Sequence, residues 1–211
     1  MSQNRHSEGL EQVYAAQSEA ELTQAYATWS SDYDRETAAS GYCLPFMIAA
    51  WVARHVQPAS GPLLDAGCGT GLSGAYLQAL GYPDIEGLDF SCDMLAIARA
   101  RGAYGALIQA ALGGPLPWRD GHFAAIFSTG VFTEGHAPAS SLDELARITR
   151  AGGHAIFTVR DMVLDSAGFR SKFTALEMAG RWRAVEESPL FRAFAVDEPD
   201  VLVKAFVFEV L

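Results

Sequence analysis

From residue 61 onward, short apolar runs alternate with longer stretches carrying apolar residues at helical spacing. Residues 62–66 read as a first strand, and 72–80, with Leu72, Tyr76, Leu77 and Leu80, as its helix. Residues 84–88 form a second strand. Its helix spans 93–101, with Ser91 suited to cap it. Residues 106–110 and 123–127 read as strands three and four. A helix over 142–150 should stop at Gly152-Gly153, before a fifth strand over 154–159. Such alternation predicts an α/β fold with a mostly parallel sheet and helices on both faces.

The flanks follow other patterns. Residues 11–36 contain no Pro or Gly and carry Tyr14, Tyr26, Trp29 and Tyr33, the last three on one helical face. A second helix runs from about 44 to 56, closed by Pro58, while residues 1–9 read as frayed. Residues 1–58 are therefore expected to form a helical lid on a core spanning 59–211, within a single domain. In the tail a helix ends over 175–180, and residues 182–186 and 203–210 read as strands. No long helix separates these two strands, which predicts an antiparallel pair and brings the sheet to seven strands.

Composition narrows the partners. The 211 residues are 50% apolar and 19% charged, which suits a folded, water-soluble chain. Lys and Arg number 15 against 25 Asp and Glu, a net charge of −10 that disfavours nucleic acid. Cys43, Cys68 and Cys92 are odd in number and widely spaced, so they read as reduced thiols. His6, His55, His122 and His154 have no partners at metal-ligand spacing, and no metal is expected. Without a signal core or a long apolar span, the expectation is a cytoplasmic chain that does not enter a membrane.

The densest chemistry lies in Leu63-Leu64-Asp65-Ala66-Gly67-Cys68-Gly69-Thr70-Gly71, a strand end running into a glycine turn that opens a helix. Glycines there let backbone amides approach an electron-rich ligand. Gly69 to Gly74 satisfy G-x-G-x-x-G, and Asp89 follows Gly69 by 20 residues, which suits the ribose of NAD and a dehydrogenase. Asp65 favours a different ligand, because an acid beside the turn suits a cationic group better than a diphosphate.

With Asp65 included, the nonapeptide resembles the first motif of class I S-adenosylmethionine (SAM) methyltransferases. Gly87-Leu88-Asp89-Phe90-Ser91 with Met94-Leu95 is similar to their second-strand motif. Pro115-Leu116-Pro117 before Phe123, and Leu145-Ala146-Arg147-Ile148 with Ala151-Gly152-Gly153, extend the likeness to residues 63–160. The segments Tyr26 to Asp34 and Phe132-Thr133-Glu134-Gly135-His136 are similar to the small methyltransferase-like proteins of the Williams–Beuren-region type. The resemblance departs at Ala111, where the family carries an Asp for the adenine amino group, and at Ala124 and Ala151.

The resemblance implies a Rossmann-like fold and SAM as methyl donor, leaving S-adenosylhomocysteine. It implies that Asp65 holds the methionine ammonium above the backbone of Gly67, Cys68, Gly69, Thr70 and Gly71. Asp89 would accept the ribose hydroxyls, with Phe90 and Met94 flanking adenine and Ala110, Ala111 and Leu112 at its edge. Ser128 and Thr129, with Gly130, would line the methionine end, and Trp29 and Tyr33, beside Tyr26, would close over the sulfonium. His136 is the candidate base, followed by Glu134 and Asp161. The expected partner is a small-molecule methyl acceptor. A SAM-binding sensor with little catalysis is the alternative, and an NAD-dependent oxidoreductase a distant third.

Overall fold

The computed structural model describes residues 8–16 and 19–211; of Glu8, Tyr14, Glu19 and Ala20 it describes the backbone alone. The expectation of a frayed start falls mostly on residues outside that set, as does His6. Glu8 and Gly9 already open a helix.

Among the described residues, eight strands and eight α-helices follow in the order α1 (Glu8–Ala15), α2 (Glu19–Ala39), α3 (Leu44–His55), β1 (Leu63–Ala66), α4 (Leu72–Ala79), β2 (Ile85–Asp89), α5 (Cys92–Arg101), β3 (Ala106–Gln109), β4 (Phe123–Phe132), α6 (Ser141–Ile148), β5 (Thr149–Arg160), α7 (Asp161–Ser166), α8 (Phe169–Met178), β6 (Trp182–Glu187), β7 (Phe191–Arg192) and β8 (Leu202–Val210). One sheet holds all the strands, in the order β3-β2-β1-β4-β5-β8-β6. The five strands from β3 to β5 are parallel; β8 runs antiparallel to β5 and to β6. These are the seven expected strands. The eighth, β7, is a two-residue strand that pairs with β8.

Side-chain alternation splits the core into two layers. Leu64, Phe157, Phe206 and Phe208 face α6 and α8, where they meet Leu142, Leu145, Phe169 and Phe173. Leu63, Phe127, Ile156 and Val207 face the other way, onto Ile48 and Val52 of α3 and Leu77 of α4. The segment read as a lid therefore divides: α3 covers the sheet, while α1 and α2 pack against Ala193, Phe194, Val201 and Val203.

The helix expected over 11–36 is two, α1 and α2, and two further elements differ from expectation. The helix predicted to reach residue 150 stops at Ile148, where the Thr149 hydroxyl donates to the Leu145 carbonyl at 2.7 Å. The chain then enters β5 directly. Thr149 pairs with Phe123 and His154 with Ala125, so residues 150–153 bulge between them. Strand β4 continues past Phe127 to Phe132, its register slipping where Gly130 takes φ +71°. Ser128, Thr129 and Gly130, expected after the strand, lie inside it.

Candidate active site

The order of the sheet reverses at β1, between β2 and β4, and a crevice opens there at the carboxyl ends of the strands. It is a cavity of about 290 Å³. The glycine turn contributes Gly67 and Gly69, and the end of β2 contributes Asp89 and Phe90. Met94 comes from α5, Ala110, Ala111 and Leu112 from beyond β3, and Thr129 and Gly130 from β4. Tyr26 and Tyr33 of α2 and His136 complete the set of expected residues on its wall.

Asp89 is the most constrained of them. Its Oδ2 accepts from the Gly69 amide at 2.8 Å and its Oδ1 from the Ser91 amide at 2.9 Å. Ser91 also caps α5, its hydroxyl accepting from the Met94 amide at 3.3 Å. Burial raises the Asp89 carboxyl above its usual value, opposed by these amide bonds. Each oxygen retains acceptor capacity for a ligand hydroxyl.

Gly69 takes φ +51°, and a Cβ built on it would meet no protein atom within 4 Å. A Cβ on Gly74, at the start of α4, would instead strike the Tyr104 ring.

Eight expected site residues are not on this wall. Asp65 shares the strand face of Leu63 and lies buried beneath the turn, accepting from the Tyr104 hydroxyl at 2.7 Å. That hydroxyl also accepts from the Gly74 amide at 3.2 Å. Burial pushes the Asp65 carboxyl up to about 7; the Tyr104 hydrogen bond opposes this and the charge of Asp89 adds to it. Asp65 thus anchors the floor of the turn. Cys68 and Gly71 also stay off the wall, and Thr70 turns its hydroxyl towards α2. The Ser128 hydroxyl donates to the Ala66 carbonyl at 2.6 Å and locks β4 to β1. Trp29 donates to Glu36 at 2.8 Å and packs against Tyr33 behind the wall. Glu134 pairs with Arg160 at 3.0 Å. Asp161 opens α7 and is also off the wall.

His136 sits in a defined network. Its Nδ1 lies 2.8 Å from both the Glu134 carbonyl, which only accepts, and the Thr133 hydroxyl, which can donate or accept; a proton on Nδ1 is the arrangement that satisfies the carbonyl. Nε2 is then an acceptor, and the Tyr26 hydroxyl donates to it at 3.0 Å. Burial lowers the pKa of the ring, partly offset by Glu134, and favours the neutral form.

The wall also includes residues that sequence reasoning missed, among them Tyr42 and Val131. Tyr42 pairs with Phe194 across the chain, and a Cβ at Gly130 would collide with its hydroxyl. Tyr104, beneath the turn, was missed as well. Both tyrosines act through contacts distant in sequence, so no local pattern marks them.

Residues 64–157 match the family described as a methyltransferase domain. Human methyltransferase-like protein 27 is 32% identical over 173 residues, covering 79% of this chain and 70% of its own length. The chain belongs to the class I SAM-dependent methyltransferases. This methyltransferase is also 46% identical over 70 residues to a dTDP-3-amino-3,6-dideoxy-alpha-D-glucopyranose N,N-dimethyltransferase of Streptomyces fradiae, a match covering 33% of this chain and 24% of that one. Its fold is that of a TehB-like SAM-dependent methyltransferase from Corynebacterium glutamicum, with TM-score 0.62, 21% identity, and 89% and 100% of the two chains covered. The dehydrogenase reading of the glycine pattern falls with the family assignment. Among the described residues no cluster suited to a metal ion occurs, and no helix is long and apolar enough to cross a membrane.

Proposed function

We propose that this methyltransferase binds SAM in the crevice beside β1 and methylates a small-molecule acceptor. The observation that carries the reading is Asp89, fixed through both oxygens at the cavity wall by the amides of Gly69 and Ser91. The residues present fit the donor. Asp89 would take the ribose hydroxyls, Phe90, Met94 and residues 110–112 the adenine, and Gly67, Gly69, Thr129 and Gly130 the methionine end. Open space at Gly69 supports close approach of a ligand to the main chain. Asp65 would act on the ammonium from below the turn, by its charge, without touching it.

SAM supplies a methyl group on a cationic sulfur, and transfer leaves that sulfur neutral. The chain's task is to bind, orient, exclude water and accept a proton. Tyr26 and Tyr33, on α2, present aromatic faces beside the cavity, and α2 with α1 serves as its lid. Tyr26 would take the acceptor's proton at its hydroxyl oxygen while passing its own to Nε2 of His136. The imidazolium so formed keeps its Nδ1–H bond to the Glu134 carbonyl. A net charge of −10 supports an acceptor other than a phosphate backbone.

Calorimetry with SAM, S-adenosylhomocysteine and NAD tests the site. Asp89→Ala should weaken SAM binding by about 100-fold, the loss of two charge-assisted hydrogen bonds. Binding of NAD alone would overturn the reading. Transfer of labelled methyl from SAM into a metabolite extract, with no transfer into RNA, tests the acceptor class.

A further inference from the structure

Gly130 carries two irregularities at once. It takes φ +71°, and β4 slips in register around it, between Ser128 and Phe132. A Cβ there would collide with the Tyr42 hydroxyl, so the tip of that side chain rests against the Gly130 main chain. Both residues line the large cavity. We infer that the Tyr42 hydroxyl donates a hydrogen bond to the α-carboxylate of the methyl donor's methionine portion. This rests on the donor reading of the cavity and assigns a residue to one group of that ligand.

Strand order decides which end of the ligand meets Tyr42. Along its carboxyl edge the sheet runs β3-β2-β1-β4. Asp89 ends β2 and would hold the ribose, so the rest of the donor extends from it in two directions. Towards β3 the wall is apolar, with Phe90, Met94, Ala111 and Leu112, which suits a purine. Towards β4 it is formed by Gly67, Thr129 and Gly130, with the Tyr42 hydroxyl against the last of them. The amino-acid portion therefore falls beside Tyr42.

A carboxylate at that end must be met by neutral donors. No Lys or Arg is among the described lining residues, and Asp89 is the one carboxyl. An enclosed anion without hydrogen bonds would be costly, and those it gains are charge-assisted. Other hydroxyls of the wall are engaged: that of Thr129 lies 3.1 Å from that of Thr158, and that of Tyr26 donates to His136.

Tyr33 stands on α2, the lid helix, whereas Tyr42 follows it and is tied to the sheet. Tyr42 bridges to Phe194, their rings lie 5.0 Å apart, and the Cys43 amide donates to the Ala193 carbonyl at 3.0 Å. The hydroxyl is thus in place before a ligand arrives, which lowers the cost of ordering it.

Calorimetric titration with S-adenosylhomocysteine and with S-adenosyl-3-thiopropylamine, the same molecule without its carboxylate, tests this without turnover. Tyr42→Phe removes the hydroxyl and keeps the ring against Phe194. It should weaken S-adenosylhomocysteine binding by about tenfold and leave binding of the amine within about twofold. The amine does not report a carboxylate contact, but it does report damage to the rest of the site. Equal losses for the two ligands, or no loss for S-adenosylhomocysteine, would overturn the assignment and leave the donor reading standing. Failure of the wild-type protein to bind S-adenosylhomocysteine would overturn the donor reading, and the assignment with it.

Discussion

Asp34, on α2, accepts a hydrogen bond from the Thr70 hydroxyl at 2.7 Å, and its other oxygen pairs with Arg101 of α5. Arg101 also donates from Nε to the Thr70 carbonyl at 2.9 Å. The helix over the cavity is thereby fastened to the glycine turn below it. With the Asp34 side chain 40% exposed, this pair adds little to global stability. Its effect falls on how often α2 lifts. Asp34→Ala should raise the dissociation rate of S-adenosylhomocysteine by about 5- to 20-fold while leaving Tm within about 2 °C. Stopped-flow displacement measures the rate; an unchanged rate would mean that other contacts hold the helix.

Asp65 should make stability fall as pH rises. A carboxyl whose folded-state value is raised from 3.8 to about 7 holds its proton more tightly in the folded chain. The folded state therefore loses relative stability across that window and stays lowered above it. Asp65→Asn keeps an acceptor for the Tyr104 hydroxyl and removes the titration. Urea unfolding at about pH 5 and pH 8 should show the Asn variant gaining on the wild type by on the order of 3 kcal/mol at the higher pH. Parallel pH profiles for the two proteins would refute this.

His136 titrates in the opposite sense. Burial lowers its pKa below 6.5, so the neutral imidazole persists to lower pH than in a free side chain. The acid limb of kcat/KM should lie below 6.5 and vanish in His136→Gln, with kcat reduced by about 100- to 1000-fold. Tyr26→Phe should lower kcat less and retain the limb. S-adenosylhomocysteine affinity should change little in either variant, which separates a proton-transfer role from loss of the site.

The C-terminal strands are held by aromatic packing. Trp182, 1% exposed, stacks on Phe208 with ring centroids 4.1 Å apart and donates to the Phe173 carbonyl at 3.2 Å. Trp182→Ala should cost about 3–5 kcal/mol, measured by denaturant midpoint. Trp182→Phe should recover most of it, since the ring is retained and one hydrogen bond is lost.

What the chain revealed in advance follows the range of the interactions involved. The glycine turn, Asp89 and the Ser91 cap are local features, and each lies where periodicity and spacing place it. The antiparallel pair of β6 and β8 was legible for the same reason, from two apolar runs joined by a segment without a long helix. Asp65 shows where such reading stops: the nonapeptide marks the turn, but strand alternation carries the carboxylate to the face of Leu63 and Tyr104. Gly130 hides the continuation of β4, because a glycine after an apolar run signals an end when it is in fact a slip in register. Tyr42 and Tyr104 reach the site across long sequence separations, so only the folded chain brings them there.

Gly69 and Gly74 separate two histories that one glycine pattern would merge. Gly74 is required by the packing of α4 against Tyr104, so it should persist in any descendant that keeps this fold, active or not. A Cβ on Gly69 would meet no protein atom, so glycine there is favoured by its left-handed backbone, φ +51°, and by the open cavity rather than by packing. A larger residue at Gly74 would therefore disturb the packing of α4, whereas one at Gly69 would strain the turn and intrude on the cavity.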